Sequence, residues 1–251
     1  FISNHSNEIT LHKINADLGP FNDFYLGGHF SKLAYARLLL PDLLPNIDKL
    51  LYLDVDITVR RPIEYLFDED VSGFYIAAVQ SHKMEAIKTY ETIHKNFSIS
   101  PSAAYFNSGV LLMNLKRMRN DNIIERIIAV GKELKGLDYY VDQDLLNVVC
   151  ANKWKPLNKE WNSIVVLEKD KPNYYHHSSN IVHTTGKYKP WLFCKPSNFL
   201  LNSEYFSPVV DYWNIIEDMG IDLPMSIQQV SYMRKVRDIY RNFRLQMSSY
   251  L

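Results

Sequence analysis

Short apolar runs alternate with amphipathic stretches along most of the 251-residue chain. Three runs rich in aliphatic and β-branched residues predict buried strands, over residues 49–59, 74–80 and 109–115. Stretches in which apolar residues recur every three or four positions predict helices, over residues 31–45, 119–135 and 138–152. Because strands and helices alternate, we expect a single α/β domain with a mainly parallel sheet flanked by helices.

The composition narrows the class of protein only slightly. Hydrophobic residues make up 47 % of the chain, which is enough for a sizeable core. The 28 basic and 28 acidic residues cancel, so the whole-chain charge does not indicate a nucleic-acid partner and we expect none. Cys150 and Cys194, with no short motif between them, do not make a disulfide framework, which favours a reducing, cytoplasmic compartment. No apolar run reaches the length of a membrane span.

Unusual polar residues lie at or near the predicted strands in three places. They are Asp54 with Asp56, Asn107 with Ser108, and His183 with Lys187 and Lys189. In an α/β sheet, ligands bind at the carboxyl ends of the strands. We therefore expect these three groups to line one ligand site.

The aspartate pair is the first chemical signal. Side chains two positions apart on a strand point the same way, so Asp54 and Asp56 converge at about 7 Å along the strand. Two such carboxylates repel each other unless a cation lies between them or one stays protonated. Oxygen ligands of this kind suit Mn²⁺ or Mg²⁺. In the alternative reading, one acid caps the next segment and the other pairs with Arg60 or Arg61.

Five segments, in this order, resemble the family 8 glycosyltransferases, which include bacterial lipooligosaccharide galactosyl- and glucosyltransferases and the glycogenins. The segments are "HFSKLAYARLLLPDLLP", "KLLYLDVDITVRRPIEYLF", "YFNSGVLLMNLKRMR", "DQDLLNVV" and "VHTTGKYKPW". Together they span residues 29–191. The resemblance implies a GT-A fold with a Rossmann-like sheet, and a donor substrate that is a UDP-sugar.

The resemblance also implies a metal and phosphate site. Asp54 and Asp56 are expected to bind Mn²⁺, with Mg²⁺ as a possible substitute, and the ion would bridge the diphosphate of the donor. His183 is expected to be the third ligand, and Gly186 and Lys189 to contact the diphosphate. A lone histidine is more often an ordinary core or surface residue, and the glycine and lysines that follow His183 favour the ligand reading.

The resemblance places five further residues around the sugar. Arg37 is expected near the sugar and phosphates, Asn107 on the sugar hydroxyls, and Ser108 in the pocket wall. Asp142 is expected to bind a sugar hydroxyl, and Gln143 to lie beside the anomeric carbon, opposite the leaving group. Each has an ordinary structural alternative. Arg37 would be a solvent-facing arginine, and Asn107 and Ser108 would form a turn before a strand. Asp142 and Gln143 would belong to a helix cap with acids in the first turn.

The reaction implied is retaining transfer of glucose or galactose from UDP to a glycan or glycolipid acceptor. Gln143 is a poor nucleophile, so attack from the departure face is favoured over a covalent step on Asp142 or Asp144. Two other hypotheses stay open. One is a metal-dependent phosphohydrolase or nucleotidyltransferase, and the other is a sugar-nucleotide-binding protein without catalysis.

The two ends of the chain carry separate expectations. We expect a glycosyltransferase domain over residues 1–225, lacking about fifty residues that carry the family's first strand and nucleotide-base contacts. Residues 226–251 hold five basic residues and one acid, with apolar residues at steps of three or four. This pattern is typical of a basic amphipathic helix. It could bind the anionic inner face of the cell membrane or pack on the domain or a partner chain.

Overall fold

The computed structural model describes residues 10, 12–27, 31–167, 178–187, 189–192 and 208–220. The chain forms two compact units. One, the larger unit, comprises His12–Val55 and Arg61–Asn162. The other, the smaller unit, contains Asp56–Arg60 and the described residues from Ser163 onwards. The chain therefore passes from one unit to the other directly after Val55, between the two aspartates.

The described residues contain strands, α-helices and short 3₁₀ helices. The strands are β1 (Lys49–Leu53), β2 (Ile57–Val59), β3 (Ile76–Lys83), β4 (Ala104–Asn114), β5 (Trp154–Pro156), β6 (Ser163–Val166) and β7 (Ile181–Thr185). The α-helices are α1 (Leu40–Leu43), α2 (Glu64–Phe67), α3 (Tyr90–Phe97), α4 (Leu115–Asn120), α5 (Ile123–Glu133), α6 (Val141–Val149) and α7 (Pro208–Asp218). The 3₁₀ helices are Gly19–Phe21, Lys32–Leu39, Met84–Ala86, Lys159–Asn162 and Pro190–Leu192.

The larger unit is built on a four-stranded sheet in the order β1-β4-β3-β5. β4 pairs antiparallel with both β1 and β3, and β3 pairs parallel with β5. The predicted α/β class is confirmed, and three of these four strands run in one direction. In the mainly parallel sheet expected from the sequence, β1 would have a parallel partner, but its partner β4 runs against it. A strand that is buried on both faces has the same apolar composition in either direction, so its sequence does not reveal its orientation.

β4 is the centre of the core. Val110, Leu111, Leu112 and Met113 are completely buried, and each contributes about 1.5–3 kcal/mol by leaving water. Helices α5 and α6 belong to the same cluster of buried side chains. The single helix predicted over residues 119–135 is in fact two helices, because Asn122 has a φ of 50° and interrupts the helix between α4 and α5.

The smaller unit contains a three-stranded sheet in the order β2-β7-β6. β2 pairs antiparallel with β7, and β6 pairs parallel with it. Helix α7 packs against the 3₁₀ helix Pro190–Leu192, where the Tyr212 and Trp191 ring centroids are 6.0 Å apart. Two elements that flank Gly186 along the chain are therefore anchored, β7 by its neighbouring strands and the 3₁₀ helix Pro190–Leu192 by α7.

Two expectations fall outside what the structure describes. The predicted helix over residues 226–251 and the domain limit at residue 225 lie beyond Gly220, the last described residue. In the described part of the chain, no helix combines the length and the apolar character that crossing a bilayer requires.

Candidate active site

A buried arginine holds the first of the two aspartates. Arg37 lies in the 3₁₀ helix Lys32–Leu39 and is 8 % exposed, so it is not a solvent-facing residue. Its Nη2 lies 2.8 Å from Asp54 Oδ1. The Tyr52 hydroxyl donates to the same oxygen at 2.8 Å, and the guanidinium carbon lies 4.5 Å from the centre of the Tyr52 ring. Asp54 therefore leaves β1 with one carboxylate oxygen fixed by two donors.

Arg37 also pairs with a second carboxylate, that of Asp142. Its Nε lies 3.2 Å from Asp142 Oδ2, an ion pair rather than an aligned hydrogen bond. Burial raises the pKa of Asp142 to about 6, although the charge on Arg37 and a hydrogen bond from Ser108 act to lower it. Burial lowers the pKa of Arg37, but the carboxylates of Asp142 and Asp54 outweigh it, so its pKa is raised. One cation thus serves two acids.

The remaining donors of Arg37 bind the backbone of β4 and its own helix. Nη1 donates to the Ser108 carbonyl oxygen at 2.8 Å and to Ser108 Oγ at 3.3 Å. Nε donates to the Ala34 carbonyl oxygen at 3.2 Å. Asn107 and Ser108 lie within β4, so the alternative reading of a turn before the strand is wrong. The sequence hid this because Asn, Ser and Gly together are typical of turns.

Gln143 is held against β4 by three hydrogen bonds. Its Oε1 accepts from Asn107 Nδ2 at 2.9 Å and from the Ser108 backbone N–H at 3.0 Å. Its Nε2 donates to the Tyr105 hydroxyl at 2.9 Å. Helix α6 begins two residues earlier at Val141, whose φ of 36° is unusual for a β-branched residue. This strained start lies directly before Asp142 and Gln143.

Two further asparagines complete the larger unit's part of the site. Asn107 Oδ1 accepts from the Gly109 N–H at 3.0 Å and from Asn162 Nδ2 at 2.8 Å. The Asn147 amide both accepts from the Phe106 N–H and donates to the Phe106 carbonyl oxygen, each at 2.9 Å. It thereby fastens α6 to β4. Sequence reasoning missed Asn147 and Asn162, since single polar residues on an α-helix and at the end of a short 3₁₀ helix carry no distinctive pattern.

In the smaller unit, the second aspartate lies beside the predicted histidine and lysine. Asp56 Oδ1 is 3.3 Å from His183 Nε2, and Asp56 Oδ2 accepts from Lys189 Nζ. Lys189 also donates to the Thr184 carbonyl oxygen at 2.8 Å. Burial would raise the pKa of Asp56, but the hydrogen bonds from His183 and Lys189 prevail and lower it to about 2.

Strand pairing explains why these residues meet. Ile57 of β2 lies opposite His183 of β7 in the antiparallel ladder, and the Thr184 N–H donates to the Asp56 carbonyl oxygen at 2.9 Å. His183 is only 3 % exposed. The pairing therefore brings a residue next to β2 together with a residue 127 positions later in the sequence.

The donor set suits a divalent metal ion. A carboxylate and an imidazole nitrogen are ligands that Mn²⁺ accepts, and a carboxylate also suits Mg²⁺. The Lys189 ammonium bonds the same carboxylate, so Asp56 already has a cationic partner there. The residues present therefore fit a metal site in which Asp56 and His183 are ligands.

Gly186 follows β7 in a conformation that other residues rarely adopt. Its φ is 83°, and an added Cβ would lie 3.4 Å from Val166 Cγ1. We expect Gly186→Ala to lower the free energy of unfolding by about 1–2 kcal/mol, because left-handed backbone is costly for residues with a Cβ. Urea denaturation would measure this loss. Gly73→Ala is the control, since a Cβ there meets nothing within 4 Å, and equal stability of the two variants would contradict the expectation.

The ten predicted site residues therefore fall into two groups. The larger unit holds Arg37, Asp54, Asn107, Ser108, Asp142 and Gln143 in one network of hydrogen bonds and ion pairs. The smaller unit holds Asp56, His183 and Lys189 in contact, with Gly186 in the segment between the last two.

Comparison with known proteins identifies the class to which this fold and these residues belong. Residues 4–194 match the sequence profile described as "Glycosyl transferase family 8". The chain belongs to this family and is a glycosyltransferase. The match covers most of the chain and includes every predicted site residue.

Individual proteins with similar sequences include one that is named as a glucosyltransferase. General stress protein A of Bacillus subtilis (strain 168) is 28 % identical over 198 residues, which are 73 % of this chain and 67 % of that protein. Lipopolysaccharide 1,2-glucosyltransferase of Escherichia coli (strain K12) is 27 % identical over 192 residues, covering 73 % of this chain. The chain spans 55 % of the length of that enzyme.

Among solved structures, the galactosyltransferase LgtC in complex with donor and acceptor sugar analogues has a similar fold. It has a TM-score of 0.65 and 23 % identity, and the match covers 86 % of this chain and 78 % of that chain. A further structure of LgtC is an active-site mutant in which a glutamine is replaced by glutamate. This likeness confirms the GT-A fold predicted from the sequence.

Proposed function

We propose that this glycosyltransferase moves glucose or galactose from a UDP-sugar to a glycan or glycolipid acceptor, with retention of configuration and dependence on Mn²⁺. The observation that carries the proposal is the contact of Asp56 with His183 and Lys189. A carboxylate, an imidazole and an ammonium together suit a divalent cation and an anionic diphosphate. A phosphohydrolase or nucleotidyltransferase with paired aspartates would need further acids, for a second metal ion or as a nucleophile.

We assign Asp54, Asp56 and His183 as metal ligands, with Mg²⁺ as an alternative to Mn²⁺. Asp54 precedes Asp56 by two residues, and its Oδ1 is oriented by Tyr52 and Arg37. Such orientation of a ligand by its neighbours is typical of metal sites. When bound, the ion would supply positive charge to the diphosphate as it departs.

The chain's own residues would supply the other contacts with the diphosphate. The Lys189 ammonium group, which bonds Asp56 in this structure, can bond a phosphate oxygen instead. The left-handed backbone at Gly186 lets main-chain N–H groups approach the phosphates without a Cβ in the way. Both residues would stabilise the leaving group more strongly as its charge develops.

The larger unit would hold the sugar. Asn107 and Gln143 each keep one side-chain N–H beyond those used in their described hydrogen bonds, and these N–H groups can donate to sugar hydroxyls. Ser108 would line the pocket. The active-site glutamine of LgtC supports a role for a glutamine in this family.

The state of Asp142 favours attack from the departure face. Its carboxylate is 5 % exposed and paired with Arg37, which makes it a poor nucleophile. In the proposed reaction the C1–O bond to UDP breaks and the acceptor oxygen bonds to C1 on the same face. The acceptor's proton passes to a diphosphate oxygen. Asp142 would bind a sugar hydroxyl, while Arg37 balances its charge.

The acceptor is proposed from the relatives. A lipopolysaccharide glucosyltransferase is among them, which favours a glycolipid that would be reached at the inner face of the cell membrane. A cytoplasmic enzyme with peripheral membrane contact through residues 226–251 would suit such an acceptor.

The proposal predicts metal-dependent release of UDP. UDP-glucose and UDP-galactose would each be incubated with the chain and Mn²⁺, with and without EDTA, and the products separated by chromatography. We expect UDP to appear with at least one donor and to disappear on chelation. Release of inorganic phosphate would instead support a phosphohydrolase. Binding of both donors without turnover would support a sugar-nucleotide-binding protein.

A further inference from the structure

A buried tyrosine and a buried acid lie directly behind Gln143. Tyr105 is completely buried, and its hydroxyl contacts both Gln143 Nε2 and Asp144 Oδ1. Asp144 is 1 % exposed. Its Oδ2 accepts from the Tyr140 N–H at 3.0 Å and from the Thr89 hydroxyl at 3.3 Å. The expectations from sequence gave Asp144 only a disfavoured role as nucleophile and gave Tyr105 none.

The direction of each hydrogen bond in this group is determined. A backbone N–H and two hydroxyls surround Asp144, so its carboxylate accepts from all three. The Tyr105 hydroxyl therefore donates its hydrogen bond to Asp144. Only a lone pair of the Tyr105 oxygen faces Gln143, and Gln143 must present its NH₂ group there.

The other end of the Gln143 amide obeys the same constraint. The Ser108 N–H can only donate, so it requires Oε1 of Gln143. Asn107 uses its oxygen on the Gly109 N–H and so presents its NH₂ group to Gln143. A flipped Gln143 would place its NH₂ group against the donors of Asn107 and Ser108, and its oxygen against the lone pair of Tyr105. Buried polar groups would then be left unsatisfied on both sides.

We propose that Tyr105 and Asp144 are positioning residues that fix the orientation of the Gln143 side-chain amide. This inference rests on the proposed function, because it assumes that the remaining Gln143 N–H faces the donor sugar. Asp144 acts through Tyr105, and neither residue needs to touch the substrate. The His82 ring stacks on the Tyr105 ring with centroids 4.3 Å apart, so it packs against one face of that ring.

A positioning role for Tyr105 and Asp144 explains why a carboxyl group is buried here, although burying one is costly. Burial raises the pKa of Asp144, and the hydrogen bonds from Tyr105, Tyr140 and Thr89 only partly oppose that shift. A neutral side chain would be easier to bury, but it would not impose one direction on the Tyr105 hydroxyl.

Two substitutions test the proposal by turnover. Tyr105→Phe removes the acceptor for Gln143, and we expect kcat to fall about tenfold with little change in KM for the donor, because a misplaced group lowers the rate more than binding. Asp144→Asn turns its NH₂ group towards Tyr105, since its single amide oxygen is required by the Tyr140 N–H. Tyr105 would then point its proton at the Gln143 NH₂ group, so we expect a larger loss than in Tyr105→Phe. Unchanged kcat in both variants would overturn the proposal.

Tyr75→Phe is the matched control. Tyr75 is also buried, and its hydroxyl donates to Asp121 Oδ2 at 2.7 Å, so the variant loses the same kind of bond elsewhere in the larger unit. We expect its kcat to stay within about twofold of the unmodified chain, whatever its stability. An equal fall in kcat for Tyr75→Phe and Tyr105→Phe would mean that the effect is structural, and would overturn the positioning role.

A measurement without turnover separates this inference from the proposed function. In Gln143→Glu, a carboxylate faces the Tyr105 lone pair, and adding Asp144→Asn frees the Tyr105 proton for it. The double variant should therefore be more stable to urea than the sum of the single changes predicts. This coupling is expected even if no UDP-sugar is turned over, and strict additivity would overturn the proposal.

Discussion

Asp56→Ala is expected to lower metal-dependent release of UDP by about a hundredfold to a thousandfold while the chain stays folded. Asp56 contacts both His183 and Lys189, so its loss removes one proposed metal ligand and the carboxylate that orients the His183 and Lys189 side chains. Its backbone bond with Thr184 does not involve the side chain. Initial rates of UDP release at several Mn²⁺ concentrations would measure the effect.

The control for Asp56→Ala is Asp211→Ala in the same unit. The two acids have nearly equal side-chain exposure, 13 % and 14 %, and Asp211 is also paired with a cation, at 3.4 Å from Arg60. Removing it changes the charge equally without touching the proposed ligands. If Asp56→Ala keeps full metal-dependent turnover, the assignment of the metal site is wrong.

The same variant should alter how stability depends on pH. The pKa of Asp56 is lowered from 3.8 to about 2 in the folded chain, so its ionised form favours folding. This contribution is fully present above about pH 4 and disappears as the pH falls through about 2. The difference in unfolding free energy between the unmodified chain and Asp56→Ala should become smaller as the pH falls from about 4 to about 2.

Apolar periodicity is a local feature and predicts the strand that ends beside the aspartates, but it does not predict the break within residues 49–59. β1 ends at Leu53 and β2 begins at Ile57, so Asp54 and Asp56 lie outside both strands, and the expectation that they share one strand is wrong. Tyr52 lies on β1, two positions before Asp54, which directly follows the end of that strand. The Tyr52–Asp54 hydrogen bond could have been expected from this spacing. The contact of Asp56 with His183 needed the resemblance, since their pairing depends on strands far apart in the chain.

Other features could not be predicted from the residues alone. The reversed direction of β4 has no composition signal, and the division into two units between Asp54 and Asp56 falls inside a continuous motif. Gln143 was expected at a sugar, but its bonds to Tyr105 and Ser108 follow from the packing of α6 on β4. Such contacts depend on tertiary structure, which propensity and spacing do not encode.

Arg37→Met should be the most destabilising of the substitutions considered, with a loss of about 3–5 kcal/mol in the free energy of unfolding. Methionine preserves much of the apolar volume, but it leaves the carboxylate of Asp142 buried without its cation. Asp54 loses its bond from Nη2 as well. Arg37→Lys should recover only part of the loss, because an ammonium cannot bond both acids and the Ser108 carbonyl oxygen in the geometry of a guanidinium. Urea denaturation at pH 7 would measure all three proteins.

Arg119→Met separates the loss of hydrogen bonds from the loss of a buried charge partner. Arg119 Nη1 donates to the carbonyl oxygens of Pro41, Leu44 and Ile47, so it too bonds several groups. Its acidic partner, Asp48, has a side chain that is 62 % exposed and stays solvated when the arginine is removed. We therefore expect a smaller loss for Arg119→Met, of about 1–2 kcal/mol.

The pH dependence of the Arg37→Met loss tests its cause. Burial already raises the pKa of Asp142 from 3.8 to about 6 with Arg37 present, and removing that cation must raise it further. An acid whose pKa is raised on folding favours the folded state at low pH, and this stability is lost as the pH rises through the folded value. The penalty for Arg37→Met should therefore be small near pH 4 and grow towards pH 7. A penalty that is the same at both pH values would show that lost packing, rather than the unpaired Asp142 carboxylate, is responsible.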